Sequence, residues 1–411
     1  MTDFFAPLHR KRLTLKPGKE RLAANRHPWI FAGAIGKESG PDDAAIADLF
    51  DPRGAHIASG LHSPHSQIRM RALTFGAEQL TETTIRARIA AAVARRVFDA
   101  ETNAGRLIHA EGDELSGLIV DRYDDLLVVE IANHGLEKLR PMIVDAVGQA
   151  ILPVEREGQA GLPVPQHIYF KNDIPARKLE RLPLEPEWQE PEGSGRPARS
   201  RLIVENGLRF KVDPASGQKT GFFLDQRENR QLARTMASGR RVLNLFSYTG
   251  GFGVYAAAGG ATEVENVDVS EPAIALAKTN HELNGVDGIF TVGDCFGVVR
   301  QRAAANERYG LVVCDPPAFA KSRGEVERAA RGYKDVNLYA MKLIEPGGLL
   351  MTFSCSGHMD LDLFQKIIFS AALDAGRRAS FIRRLTAAPD HPVSLYAPEG
   401  EYLKGFVVQL Y

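Results

Sequence analysis

Three short stretches carry side chains able to do chemistry together: FSCSG (353–357), CDPPAFAKS (314–322) and NLFSYTGGF (244–252). The first puts Cys355 directly after an apolar run and between two serines. A thiol there is either a small buried apolar group or, once ionised, a nucleophile. The second ends an apolar run at Asp315, followed by Pro316, Pro317, Phe319 and Lys321. Two prolines fix the backbone so that carbonyls and a following aromatic can grip a flat ring. The third runs from an apolar strand into a turn made of Phe246, Tyr248, Thr249, Gly250 and Gly251. Its glycines let the backbone approach a ligand where a Cβ would collide.

Acids recur at matching places downstream. Asp268, followed by Ser270, ends the next apolar run and suits a pair of ribose hydroxyls. Asp294 ends a third run; it could accept from an adenine amino group, with Phe296 beside the ring. Cys295 either packs or lies near the adenine, and Cys314, inside LVVC, reads as core. A nicotinamide dinucleotide is the rival ligand, but the chain has no G-x-G-x-x-G to seat a pyrophosphate on a helix N-terminus. The pattern favours S-adenosylmethionine.

The elements that must hold these residues alternate after residue 200. Strands RVLNLF, TEVENVD, GIFTV, YGLVVCD and GGLLMTFSC are separated by helical stretches. That alternation predicts an α/β domain over 201–411, its parallel sheet covered on both faces, with KGFVVQLY closing an edge. In an open parallel sheet ligands sit beyond the strand C-termini, which places Asp268, Asp294, Asp315 and Cys355 on one rim. Upstream, residues 1–78 read as short strands with one helix near Glu20–Ala24. Residues 79–182 read as a small α+β domain: a Thr-capped helix, two strands in GLIVDRYDDLLVVEI, a helix GLEKLRPMIVDAVGQAIL and a strand HIYFKN. Residues 183–200, rich in Pro, Glu and Gly, read as a linker or exposed loop.

Composition narrows the classes. The 411 residues are 44% hydrophobic and 25% charged, as in a globular protein of two or three domains. Net charge is zero, so no chain-wide field gathers nucleic acid, and any such contact must be local. Arg12 and Lys16 belong to a basic N-terminal run that is either a phosphate-binding patch or a solvated terminus. Arg69 and Arg71 in GLHSPHSQIRMR suggest a phosphate-facing edge; His62 and His65 alone do not make a metal site, and no metal is expected. Three scattered cysteines favour a reducing compartment, and no run is long enough to cross a membrane. Tyr333 and Asn337 either align RNA or sit on a plain amphipathic helix, and His391 either touches the target nucleotide or forms a turn.

Taken together, KTGFFLDQRENR, NLFSYTGGF, DVS, LNG, GDCF, DPPAFAKS and FSCSG resemble the class I S-adenosylmethionine-dependent RNA methyltransferases. Within them the chain is most similar to bacterial 23S ribosomal RNA cytosine-5 methyltransferases of the RlmI type. The resemblance spans nearly the whole chain and extends to the tail DHPVSLYAPEGEYLKGF. It implies an N-terminal PUA RNA-binding domain, a small middle domain, and a Rossmann-like domain with a mostly parallel seven-stranded sheet. It also implies S-adenosylmethionine contacts from Phe222, Asp225 and Arg227, a cytoplasmic location, and a homodimer. On this reading Cys355 adds to carbon 6 of the base, Asp315 accepts from the cytosine amine, and Phe319 stacks on the ring. Ala318 separates Phe319 from the prolines, whereas amino-group methyltransferases often place the aromatic immediately after them. Purine-nitrogen methylation without a covalent intermediate, and a non-catalytic RNA-binding ribosome assembly factor, are the competing functions.

Overall fold

The computed structural model describes residues 4–5, 8–151, 165–190, 199–320 and 322–411; Lys321 lies outside them, as do residues 191–198 of the expected linker. The described chain divides into two compact units. The first comprises Met1–Ile203, Val212–Leu224 and Pro389–Gly400; the second comprises Val204–Lys211, Asp225–Ala388 and Glu401–Tyr411.

Two sheets build the first unit. One has six strands, in the spatial order Trp29–Phe31, Ile68–Phe75, His56–His62, Ile46–Phe50, Arg10–Leu15, Ile35–Ser39. Its alternation is legible in Arg10–Leu15, where Lys11, Leu13 and Leu15 are buried and Arg12 is exposed. The other has five strands, in the order Glu187–Gln189, His167–Phe170, Leu126–Ile131, Leu118–Tyr123, Ala104–His109. Helix Glu82–Ala94 buries Ile85, Ile89 and Ala92; Thr81 caps it by accepting from the Thr84 amide at 3.2 Å. The single helix expected over GLEKLRPMIVDAVGQAIL is two, His134–Lys138 and Arg140–Ile151. Pro141 explains the break, since proline is tolerated in the first turn of a helix but not in its interior. Within the stretch expected as a linker, Glu187–Gln189 pairs antiparallel with His167–Phe170, and the Trp188 and Tyr169 rings lie 4.6 Å apart.

The second unit is a seven-stranded sheet. In chain order its elements are β1 (Arg241–Leu245), α1 (Gly251–Ala258), β2 (Glu263–Asp268), α2 (Glu271–Leu283), β3 (Ile289–Val292), α3 (Cys295–Ala304), β4 (Tyr309–Cys314), α4 (Val326–Leu343), β5 (Ile344–Ser354), α5 (Leu361–Asp374), β6 (Ala379–Leu385) and β7 (Lys404–Leu410). The spatial order is β3-β2-β1-β4-β5-β7-β6, with β7 antiparallel to both neighbours. Period-two alternation divides the strands between two cores. Val242, Leu311, Val313, Met351 and Phe353 join Phe252 of α1 on one face. Leu243, Leu245, Val312 and Leu350 join Met341 of α4 and Phe364 of α5 on the other.

The expectation that KGFVVQLY closes an edge is corrected by this order. β7 lies between β5 and β6, and ASFIRRL (β6) is the edge. Its burial explains why: β7 is buried at every residue but Gln409, as a strand covered on both faces must be. β6 is exposed at every residue but Leu385 and carries Arg383 and Arg384, charges that blunt an edge.

One interior polar chain fixes the helices against the sheet. Asn244 on β1 donates to Asn266 on β2 (2.9 Å), Asn266 pairs with His281 on α2 (3.1 Å), and the other His281 nitrogen faces the Asp287 carbonyl (3.0 Å). A Cβ on Gly253 of α1 would lie 2.1 Å from Asn266 Oδ1, an atom held by that chain. Gly253→Ala is therefore expected to cost about 1–3 kcal/mol, read as a lower urea midpoint with an unchanged slope.

Candidate functional site

Strand order reverses at β1, which pairs with β2 on one side and β4 on the other. Helices leave the two halves on opposite faces, so a crevice opens beyond the C-termini of β1 and β4. The segments that follow β1, β2, β3, β4 and β5 are those carrying the residues singled out from the sequence.

After β1 the backbone turns sharply. Phe246 (φ 56°), Tyr248 (φ 47°) and Gly250 (φ 78°) all occupy the left-handed region, which costs two non-glycine residues conformational energy. Neighbouring groups hold the turn. Cys295 Sγ accepts from the Phe246 amide (3.2 Å) and the Asp268 carboxylate accepts from the Tyr248 amide (2.8 Å). The Ser247 amide donates to Val267 (2.9 Å), and the buried Asn280 amide group donates to the Thr249 carbonyl (2.9 Å). Cys295 thus has a third place besides packing or adenine contact: it braces the turn. Burial pushes its thiol up to about 12, so it stays protonated. Cys314 is fully buried, and burial raises its thiol well above the ordinary range, as its place in the β4 core requires.

Asp268 is half-buried at the end of β2 and also accepts from the Ser270 amide (2.9 Å); Ser270 then caps α2 by accepting from Ala273 (3.3 Å). Asp294 caps α3, accepting from the Gly297 amide at 2.9 Å. Phe296, the next residue but one, faces Phe246 with ring centroids 6.1 Å apart. Two carboxylates, a glycine turn and an aromatic side thus stand on adjoining strand ends. Those donors and acceptors fit an adenosyl group: hydroxyls on Asp268, an amine on Asp294, a flat ring at Phe246 and Phe296.

Asp315 is half-buried and accepts from Gln226 Nε2 at 2.9 Å. Asn229 donates to Gln226 Oε1 (2.6 Å), fixing which way that amide points. Asp225 is 2% exposed and accepts from the Tyr402 hydroxyl at 2.6 Å, while Arg227 donates to Glu228 (3.3 Å). Pro316 is buried and Pro317 exposed. Phe319, expected to stack on a target base, packs against Tyr333 (4.6 Å), Phe296 (5.8 Å) and Phe246 (6.4 Å).

Cys355 follows the last residue of β5 and is half-buried, its Sγ 3.8 Å from the Pro316 carbonyl. Its serine neighbours are fully buried. Ser356 Oγ accepts from the Ala320 amide (3.3 Å) and bonds the Tyr333 hydroxyl (3.1 Å), so it ties the cysteine loop to the DPP loop and to α4. That assigns Tyr333, expected to reach RNA, an internal partner: it is fully buried. Asn337 is fully buried too, and donates to the Tyr333 carbonyl at 2.7 Å.

The remaining residues lie in the first unit. Phe222 is 3% exposed and its amide donates to the Tyr123 hydroxyl (3.2 Å). His391 is 5% exposed, its Nδ1 2.8 Å from Asp390. Arg71 is 7% exposed and lies 3.5 Å from Glu111; His62 is buried against the Ala44 carbonyl (3.0 Å). Arg12 and Lys16 are exposed, and Arg69 is half-buried beside Glu38 (3.3 Å).

Sequence reasoning missed Gln226, Asn229 and Lys404. The first two sit within KTGFFLDQRENR, where their shared helical face was the available signal. Lys404 opens an otherwise apolar strand, yet it is 5% exposed and donates to the Ser356 carbonyl at 2.9 Å.

Known proteins are similar to this chain over most of its length. The profile of the S-adenosylmethionine-dependent methyltransferases matches residues 184–399, and that of PUA-like domains matches residues 13–75. Ribosomal RNA large subunit methyltransferase I of Tolumonas auensis is 43% identical over 407 residues, covering 96% of this chain and 98% of its own. Its namesake in Shewanella denitrificans is 41% identical over 409 residues, covering 97% and 99%. A solved structure from Streptococcus mutans, assigned to the S-adenosylmethionine-dependent methyltransferases, shares the fold. It aligns with a TM-score of 0.78 over 97% of this chain and 99% of that one, at 22% identity.

Proposed function

Because the chain belongs to the family of S-adenosylmethionine-dependent methyltransferases that includes ribosomal RNA large subunit methyltransferase I, we propose that it methylates carbon 5 of a cytosine in large-subunit ribosomal RNA, with Cys355 as nucleophile. One observation carries this reading. Of three cysteines, Cys355 alone is not buried, and it stands at the end of β5 with its sulfur 3.8 Å from the carbonyl of Pro316, next to Asp315.

Bound S-adenosylmethionine supplies an electrophilic methyl on a sulfonium. Carbon 5 of cytosine is too weak a nucleophile to take it unaided. Addition of the Cys355 thiolate at carbon 6 displaces the 5,6 double-bond electrons and makes carbon 5 enamine-like. Once carbon 5 carries the methyl, a base removes its proton, and the released electrons re-form the double bond and expel the thiolate. Asp315, His358 or water serves as that base. Asp315, held by Gln226, is suited to accept from the exocyclic amine. Phe246, Tyr248, Thr249, Gly250, Gly251, Asp268, Ser270, Asp294 and Phe296 are the residues assigned to the cofactor, together with Asp225 and Arg227. A stacked base hides carbon 6, so the target nucleotide is taken from a loop or flipped out.

The test incubates ribosomal RNA lacking the modification with labelled S-adenosylmethionine and the full-length protein, then identifies the labelled nucleoside by mass spectrometry. 5-Methylcytidine is expected. A methylated purine would favour nitrogen methylation, for which Cys355 is unnecessary. No label and no S-adenosylmethionine binding would favour an assembly factor.

We assign the sequence-independent part of RNA binding to the exposed cations of the first unit, Arg12 and Lys16. Replacing both with Ala is expected to flatten the slope of log affinity against log salt by roughly 2, about one per phosphate contact, with the labelled product unchanged.

A further inference from the structure

Lys404 is a buried ammonium with a particular place. It opens β7 directly opposite Ser354, the residue before Cys355, and its Nζ donates at 2.9 Å to the carbonyl of Ser356, the residue after it. The side chain therefore spans the cysteine on the strand that pairs with β5. It is 5% exposed, and among the described residues it forms no ion pair with a carboxylate. One carbonyl satisfies one of three N–H donors and none of the charge. A buried cation without a counter-ion is costly, and such residues persist where an anion is formed or bound.

We infer that Lys404 is the positioning residue that holds Cys355 in its thiolate form, the thiolate serving as counter-ion to an ammonium that forms no ion pair with a carboxylate among the described residues. This role rests on the reading of Cys355 as nucleophile. A free thiol, with a pKa of about 8.5, is only a few per cent ionised at neutral pH, so a nucleophile working there needs a nearby positive charge. Among the described residues, the Glu401 and Asp360 carboxylates also act on Lys404, and the Tyr333 hydroxyl is coupled to Cys355. The carboxylates oppose a second negative charge, and Lys404 offsets them. Burial lowers the Lys404 pKa, and Cys355 is the strongest of the charges raising it again, as expected of a coupled pair. The thiol proton leaves to solvent; Lys404 keeps its own.

The test reads the thiol directly. Full-length protein is alkylated with iodoacetamide across a range of pH, and modification of Cys355 is quantified by peptide mass spectrometry; Cys295 and Cys314 are buried. The wild-type midpoint is expected below the free-thiol value of about 8.5. In Lys404→Met it rises by a unit or more and the rate at pH 7 falls about tenfold, while Lys404→Arg returns most of the difference. Equal midpoints in wild type and Lys404→Met, or no recovery with Lys404→Arg, would overturn the assignment. If Lys404→Met fails to bind S-adenosylmethionine or to fold, the wild-type midpoint alone decides: at or above 8.5, the assignment falls. The nucleophile reading is tested apart from this. Unchanged RNA methylation by Cys355→Ala would remove that reading even where the thiol proves acidic and dependent on Lys404.

Discussion

Cys355→Ala protein is expected to bind S-adenosylmethionine as the wild type does and to lose RNA methylation by at least about a thousandfold, roughly 4 kcal/mol of transition-state stabilisation. The size of the effect follows from chemistry. Without addition at carbon 6 there is no enamine, and no other residue can lend carbon 5 the same electron density. The stability change should be small, because Cys355 is half-buried at a strand end and alanine keeps its Cβ. RNA containing 5-fluorocytosine gives a second readout. Fluorine cannot leave carbon 5 as a proton does, so the wild type should stay covalently attached to the RNA and the variant should not. Equal turnover of the two proteins would return Cys355 to a packing role.

Glu205→Ala is expected to cost about 3–5 kcal/mol, measured by urea unfolding. Glu205 is fully buried and accepts both bonds of a bidentate pair from Arg230, at 2.8 and 2.7 Å. Tyr255 also donates to it at 3.0 Å. Removing the carboxylate takes both bonds of that pair from a guanidinium that is 2% exposed. Replacing both members with apolar residues, Glu205→Leu with Arg230→Met, should recover much of the loss, because the penalty lies in the uncompensated charge. Function should follow stability here. Arg230 lies one residue beyond Asn229 and one turn beyond Gln226 on the helix Arg227–Met236 and its N-cap, so the pair holds the element that presents Gln226 to Asp315. Weaker Asp315 positioning should appear as a lower methylation rate at temperatures where the protein remains folded.

Much of this could be read from the chain. Apolar runs ending in Asp268, Asp294 and Asp315, with helices between them, specify a parallel sheet and put its acids on one rim, because apolar runs and strand ends are local properties. The glycine turn after β1 was legible for the same reason: only certain residues tolerate that backbone. Cys355, flanked by serines at a strand end, was visible as a candidate from its neighbours alone.

Other features depended on contacts between residues far apart in the chain. β7 between β5 and β6 results from pairs such as Leu350 with Val408, 58 residues apart, and no local pattern ranks one lateral order above another. Tyr333 reads as a plausible RNA contact on an amphipathic helix; the fold buries it and joins it to Ser356. Cys295 follows a capping aspartate in sequence and braces the Phe246 turn in space. Lys404 looks like an ordinary charge at the start of a strand until β7 pairs with β5 and brings it across from the cysteine. Residue type and spacing determined which groups could do chemistry and on which rim they stand. Only the tertiary structure decided which of them meet, because lateral strand order, burial and cross-strand neighbours are set by the whole core at once.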